Sequence, residues 1–128
     1  MEIYFQTTTF TFLMATKEEV ERFLQQLKDK IRVFDVAYRP RGKNTDTLAE
    51  LDIMPYQRLE YLKKLTSANY YTGPNKDTYD ATKPDYYEFG MTIKGVEVYI
   101  KISLGLENKM VDCMSFHKAE RSITYPLK

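Results

Sequence analysis

The run Val96-Glu97-Val98-Tyr99-Ile100-Lys101-Ile102-Ser103-Leu104 alternates apolar and polar side chains without a break. Successive side chains of a strand point to opposite faces, so the apolar members share one face and Glu97, Tyr99, Lys101 and Ser103 the other. This is the pattern of a strand half buried against a core. Lys94-Gly95 precedes it, and a glycine there tolerates the positive φ that a two-residue hairpin turn requires. That turn sets Ile93 opposite Val96, Met91 opposite Val98 and Phe89 opposite Ile100 on the apolar face. On the polar face Thr92 meets Glu97, Gly90 meets Tyr99 and Glu88 meets Lys101. Directly opposed Cβ atoms lie about 4.5–5.5 Å apart, close enough for Glu88 and Lys101 to form an ion pair. A slip of one residue would drive charges into the core, so the register is strongly specified.

In the next candidate strand, Met110, Met114 and Phe116 form the better apolar face, which then also carries Asp112. Val111, Cys113, Ser115 and His117 share the polar face. The Gly105 to Lys109 connection sets Tyr99 opposite Ser115 and Lys101 opposite Cys113, with His117 diagonal to Tyr99. The expected cluster is therefore Glu88, Tyr99, Lys101, Ser115 and His117, and Gly90 leaves open space beside Tyr99.

The N-terminal half reads as helical. Phe10, Phe12 and Met14 alternate with Thr9, Thr11 and Leu13 as a short strand or extended arm. Thr16 and Glu19 form a capping box, and Val20, Phe23, Leu24, Leu27 and Ile31 follow at helical spacing, predicting a helix over 17–30. Ile31 to Tyr38 is β-branched and aromatic, the composition of a strand. Arg39-Pro40-Arg41-Gly42-Lys43 is a turn carrying three cations in five residues. Thr45 to Leu51 suits a short helix, and Pro55 opens another with Leu59, Leu62 and Leu65 as its buried stripe. Gly73-Pro74 closes that region and starts a loop reaching about Asp85. Helices followed by closely spaced strands predict an α+β fold, a small antiparallel sheet with helices packed on one face. The other face is left for function.

Composition sets limits. A chain of 128 residues with no internal repeat is expected to form a single domain, 1–128. No apolar run approaches the roughly 20 residues of a membrane span. The opening MEIYFQTTTFTFLM has no basic segment of the kind that starts a secretory leader, so a cytoplasmic location is expected. The lone Cys113 excludes an internal disulfide and a cysteine-based metal site. With 19 basic and 18 acidic residues, bulk charge attracts no polyanion, and any RNA contact must use local patches.

The polar cluster has the groups that RNA cleavage needs without a metal or other cofactor. These are an acid or base near neutrality (His117), a counterpart (Glu88 or Tyr99) and a cation for the developing phosphorane charge (Lys101). Tyr70, Tyr71, Tyr79, Tyr86 and Tyr87 precede the sheet and could stack on bases. Arg39, Arg41 and Lys43 are candidate phosphate contacts. Cys113 near His117 raises a Cys–His nucleophile, though a mid-strand thiol has no helix N-terminus to activate it. Surface pairing, tyrosine packing and a solvated basic loop are the plain alternatives for the same residues.

At these positions the chain resembles the MqsR-type toxins of bacterial type II toxin–antitoxin systems, which share the RelE-like ribonuclease fold. The resemblance covers roughly residues 18 to 128. It rests on Gly42-Lys43-Asn44 with Thr47-Leu48-Ala49-Glu50-Leu51, on Tyr71 followed by Gly73-Pro74, and on Tyr87-x-Phe89-Gly90. Val98-Tyr99-Ile100-Lys101 and Cys113-x-Ser115-Phe116-His117 complete it. It implies an mRNA-cleaving endoribonuclease, acting on RNA free or on the ribosome and held inactive by a cognate antitoxin protein. It also carries functional roles onto Tyr99, His117 and Glu88. Catalytic residues are thus expected at His117, Tyr99, Lys101 and Glu88, and RNA contacts at Arg39, Arg41, Lys43, Tyr87 and Ser115. Thr72 stands where the best-known members have a lysine. A non-enzymatic RNA- or protein-binding module of the same fold is the runner-up, and a small-molecule-binding domain is a third class.

Overall fold

The β-hairpin forms in the expected register. Strands β3 (Tyr86–Ile93) and β4 (Val96–Ser103) pair antiparallel with Glu88 facing Lys101, Gly90 facing Tyr99 and Ile93 facing Val96. Lys94 and Gly95 have φ of 50° and 80°, the paired positive angles of the turn that follows the strands' own twist. The computed structural model describes residues 14–128. The expected N-terminal strand lies outside them except for Met14, which makes an isolated parallel bridge to Gly73.

The other described elements are α1 (Lys17–Phe34), β1 (Val36–Tyr38), α2 (Gly42–Leu51), α3 (Arg58–Lys63), β2 (Tyr70–Asn75) and β5 (Val111–Lys118). The fold is α+β, with a five-stranded sheet in the order β1-β5-β4-β3-β2. The sheet is mixed rather than wholly antiparallel, because β1 runs parallel to β5. None of the described helices is long and apolar enough to cross a membrane.

The capping box of Thr16 and Glu19 starts α1, which continues a turn beyond its expected end to Phe34 and shortens the following strand to three residues. Its buried stripe of Val20, Phe23, Leu24, Leu27 and Ile31 packs with Phe89, Ile100 and Ile102 of the sheet. Tyr87 belongs to this layer, its ring stacked on Phe23 at a centroid distance of 4.0 Å. Arg41 and Lys43, read as turn residues, are the N-cap and second residue of α2.

Two features escaped the sequence reading. Tyr70–Asn75 is a strand despite Gly73-Pro74, because β2 is a sheet edge and its proline gives up no ladder hydrogen bond there. In β5, Lys101 pairs with Ser115 but Ile102 with Cys113, so Met114 is an extra, unpaired residue, a β-bulge. Val111 and Cys113 therefore join the core, while Ser115 and His117 share a face with Lys101 and Tyr99. Asp112 leaves the apolar face and pairs with Ser103.

Helix α2 contributes Leu48 and Leu51 to the core and also covers the edge of β5 beyond the short β1. The Phe116 amide donates to Asn44 Oδ1 at 3.1 Å, and the Lys118 amide donates to Thr47 Oγ1 at 2.8 Å. Buried side chains here stand in for a missing strand, which satisfies amides that would otherwise be costly to bury. Asn44→Ala should therefore lower stability by about 1–3 kcal/mol in urea unfolding, with the m-value unchanged. A loss below about 0.5 kcal/mol, the size of an ordinary surface substitution, would contradict this role.

Candidate functional site

Two rows of side chains cross the sheet on the face away from α1. One runs Glu88, Lys101, Ser115, and the other Gly90, Tyr99, His117. His117 thus lies directly opposite Tyr99, and Ser115 opposite Lys101, two residues from the expected pairing: the β4–β5 connection shifts the register by one residue, with Ser103 facing Asp112, and the β5 bulge by another. The rings of Tyr99 and His117 are 5.2 Å apart at 42°.

Glu88 is the organising acceptor. The Tyr99 hydroxyl donates to its Oε2 and the Thr72 hydroxyl to its Oε1, and Asn75 Nδ2 donates to Thr72 Oγ1 at 3.0 Å. The carboxylate is thereby held on both oxygens. Burial, reinforced by the bond to Glu88, pushes the Tyr99 phenol far above its ordinary range, so this group donates a proton and does not serve as a free base. The expected Glu88–Lys101 ion pair does not form. Lys101 instead holds its ammonium 4.2 Å from the centroid of the Tyr86 ring, a cation–π contact.

His117 is 8% exposed and its Nδ1 lies 2.9 Å from the Lys118 carbonyl oxygen. A carbonyl only accepts, so Nδ1 carries the hydrogen, and Nε2 makes no hydrogen bond among the described residues. Cys113 is no partner for it. The thiol faces the core, 1% exposed, and burial pushes it up to about 12. The Cys–His nucleophile is thereby set aside.

These side chains floor a cleft of about 470 Å³. Tyr71 and the start of α2 with Arg41 form part of its wall, and the segment after β5, through Ala119, Glu120, Arg121 and Ile123, forms another part. Of the expected site residues, His117, Tyr99, Lys101, Glu88, Ser115 and Arg41 meet here. The others do not. Arg39 is held by Asp112, with Nη2 at 2.9 Å from Oδ2, and Lys43 is bound to Glu120 at 2.8 Å on the surface. Tyr87 is buried on the opposite face against Phe23, so its ring is not available to a base. Tyr70 is likewise core, and Tyr79 is fully out in solvent at 99%.

Sequence reasoning noted Thr72 only as a departure from the resemblance, without its bond to Glu88, and missed the C-terminal segment. Gly90 does not leave open space beside Tyr99. A Cβ built there would lie 2.6 Å from the Tyr125 hydroxyl oxygen and 2.8 Å from Ile123 Cδ1, so the absent side chain is what lets the tail cross the sheet. The one available signal was the pairing of a mid-strand glycine with an apolar alternation, Ile123 and Tyr125, near the C-terminus.

Among the described residues, no three His, Cys, Asp or Glu side chains gather in a metal-binding group. No protein-family model, curated protein or solved structure matches the chain. The burial of Cys113 gives a direct check on the β5 bulge. Iodoacetamide should leave the folded protein unmodified at mildly alkaline pH and alkylate it fully after denaturation. Complete labelling of the folded chain would place the thiol on the cleft face and contradict the register.

Proposed function

We propose that the chain is a metal-independent endoribonuclease on a RelE-like fold, the toxin of a toxin–antitoxin pair. The observation that carries this reading is the meeting, in one cleft, of an imidazole with a free Nε2, a phenol bonded to a carboxylate, and an ammonium. The resemblance adds mRNA as substrate and a cognate antitoxin as protein partner.

The proton inventory follows from the groups present. The 2′-hydroxyl gives its proton to Tyr99 Oη as the Tyr99 proton passes to Glu88, so no phenolate builds up beside the carboxylate. The 2′-oxygen attacks phosphorus, and His117 in its imidazolium form gives the Nε2 proton to the departing 5′ oxygen. Its Nδ1–H stays on the Lys118 carbonyl throughout, which fixes the ring. Lys101 faces the phosphorane charge, and the products are a 2′,3′-cyclic phosphate and a 5′-hydroxyl. Glu88 ends with one proton more and His117 with one fewer, and solvent resets both.

His117→Ala should reduce cleavage about 10²–10⁴-fold and relieve growth arrest with the fold intact. Tyr99→Phe should slow cleavage by breaking the relay, and Lys101→Met should cost about 10²–10³-fold. Chelators should have no effect. Wild-type protein that cuts no RNA, with or without ribosomes, and arrests no growth would overturn this reading in favour of a binding module.

A further inference from the structure

The segment after β5 returns across the open face of the sheet as a strap, and contacts to Glu97, Gly90 and Lys43 fix it there. The Tyr125 hydroxyl donates to Glu97 Oε2 at 2.8 Å, and the Ile123 amide donates to Glu97 Oε1 at 3.4 Å. Ile123 is 8% exposed and rests on Gly90, where any side chain would collide with it. Near the start of the strap, Glu120 binds Lys43 of α2 at 2.8 Å. Burial and the Glu97 carboxylate push the Tyr125 phenol up to about 12, so its donated proton stays in place across the physiological range.

Between these anchors stands Arg121. It is exposed, it lines the cleft, and it has no ion-pair partner among the described residues. The neighbouring acid, Glu120, makes its ion pair with Lys43. Arg41 stands on another wall of the same cleft, likewise unpaired among the described residues. A strap bound at three points to present one free guanidinium to an otherwise finished cleft has the layout of an anion clamp. A guanidinium fits phosphate oxygens with a two-pronged hydrogen bond.

We infer that the strap supplies Arg121 as a phosphate-gripping residue, which works with Arg41 to hold the backbone of a single-stranded RNA on the phosphates flanking the scissile one. This rests on the ribonuclease reading for the identity of the polyanion. It goes beyond that reading in making substrate binding depend on a packing contact, Ile123 on Gly90, that touches no substrate.

The test uses the full chain and an octanucleotide lacking 2′-hydroxyls, which binds without being cut. Its Kd is measured by fluorescence anisotropy over a series of salt concentrations, and each variant is first shown to melt cooperatively. Arg121→Gln should weaken binding about three- to tenfold and lower the slope of log K against log salt by about 0.7, the value for one lost contact to a single strand. Arg121→Lys should restore the slope. Gly90→Val removes no charge and suits a strand, yet it expels the strap, so it should reproduce the Arg121→Gln slope. The double variant should be no worse than either alone. Arg32→Gln, on α1 and paired with Asp29, is the control. An Arg121→Gln effect no larger than the control, or a Gly90→Val slope like the wild type, would overturn the inference, as would wild-type protein that does not bind the oligonucleotide. Wild-type protein that binds it through the strap but cuts no RNA would sustain the strap and remove the enzyme reading.

Discussion

Everything on the working face depends on the register of β3 against β4. Its apolar rows, Phe89–Ile100 and Met91–Val98, permit only one alignment, because a one-residue slip buries Glu88 and Lys101. That alignment brings Tyr99 within reach of Glu88 and sets Gly90 where the strap must pass. The positive φ angles at Lys94 and Gly95 fix the same alignment from the turn. Side-chain chemistry and backbone geometry thus specify one arrangement between them.

The bulge in β5 is the second device. A strand that alternated without interruption would either turn His117 away from Tyr99 or turn Val111 and Cys113 away from the core. One extra residue at Met114 lets the same strand serve the core at one end and the cleft at the other. The edge of β5 is then finished by α2, whose Asn44 and Thr47 occupy the amides that β1 is too short to reach. Sheet closure and cleft construction are in this way coupled, since the helix that covers the edge begins with Arg41 on the cleft wall.

Local patterns in the sequence announced what local forces control. The capping box, the buried stripe of α1 and every pair of the β3–β4 ladder could be read directly, because each depends on residues close in the chain. The position of His117 was right to the face but two residues off in pairing, since alternation reveals neither the register that the β4–β5 connection sets nor the one-residue bulge. Gly73-Pro74 reads as a strand breaker unless it is known that β2 lies at an edge. Arg39 and Lys43 carried a phosphate expectation because a sequence does not show that Asp112 and Glu120 already hold them. Tyr87 was placed among the base-stacking tyrosines although its parity in β3 sends it to the core with Phe89. The strap left only a faint signal, because its meaning lies in a contact with Gly90 some thirty residues earlier in the chain.

The central claim is that His117 protonates the departing oxygen while Glu88, through Tyr99, accepts the 2′ proton. The most direct measurement compares an RNA dinucleotide with its analogue in which sulfur replaces the bridging 5′ oxygen, a leaving group that departs without a proton. The account predicts that His117→Ala, severely impaired on the oxygen substrate, cleaves the sulfur analogue at close to the wild-type rate, while Glu88→Gln stays impaired on both. An equal His117→Ala defect on the two substrates would contradict the assignment of His117 as the acid.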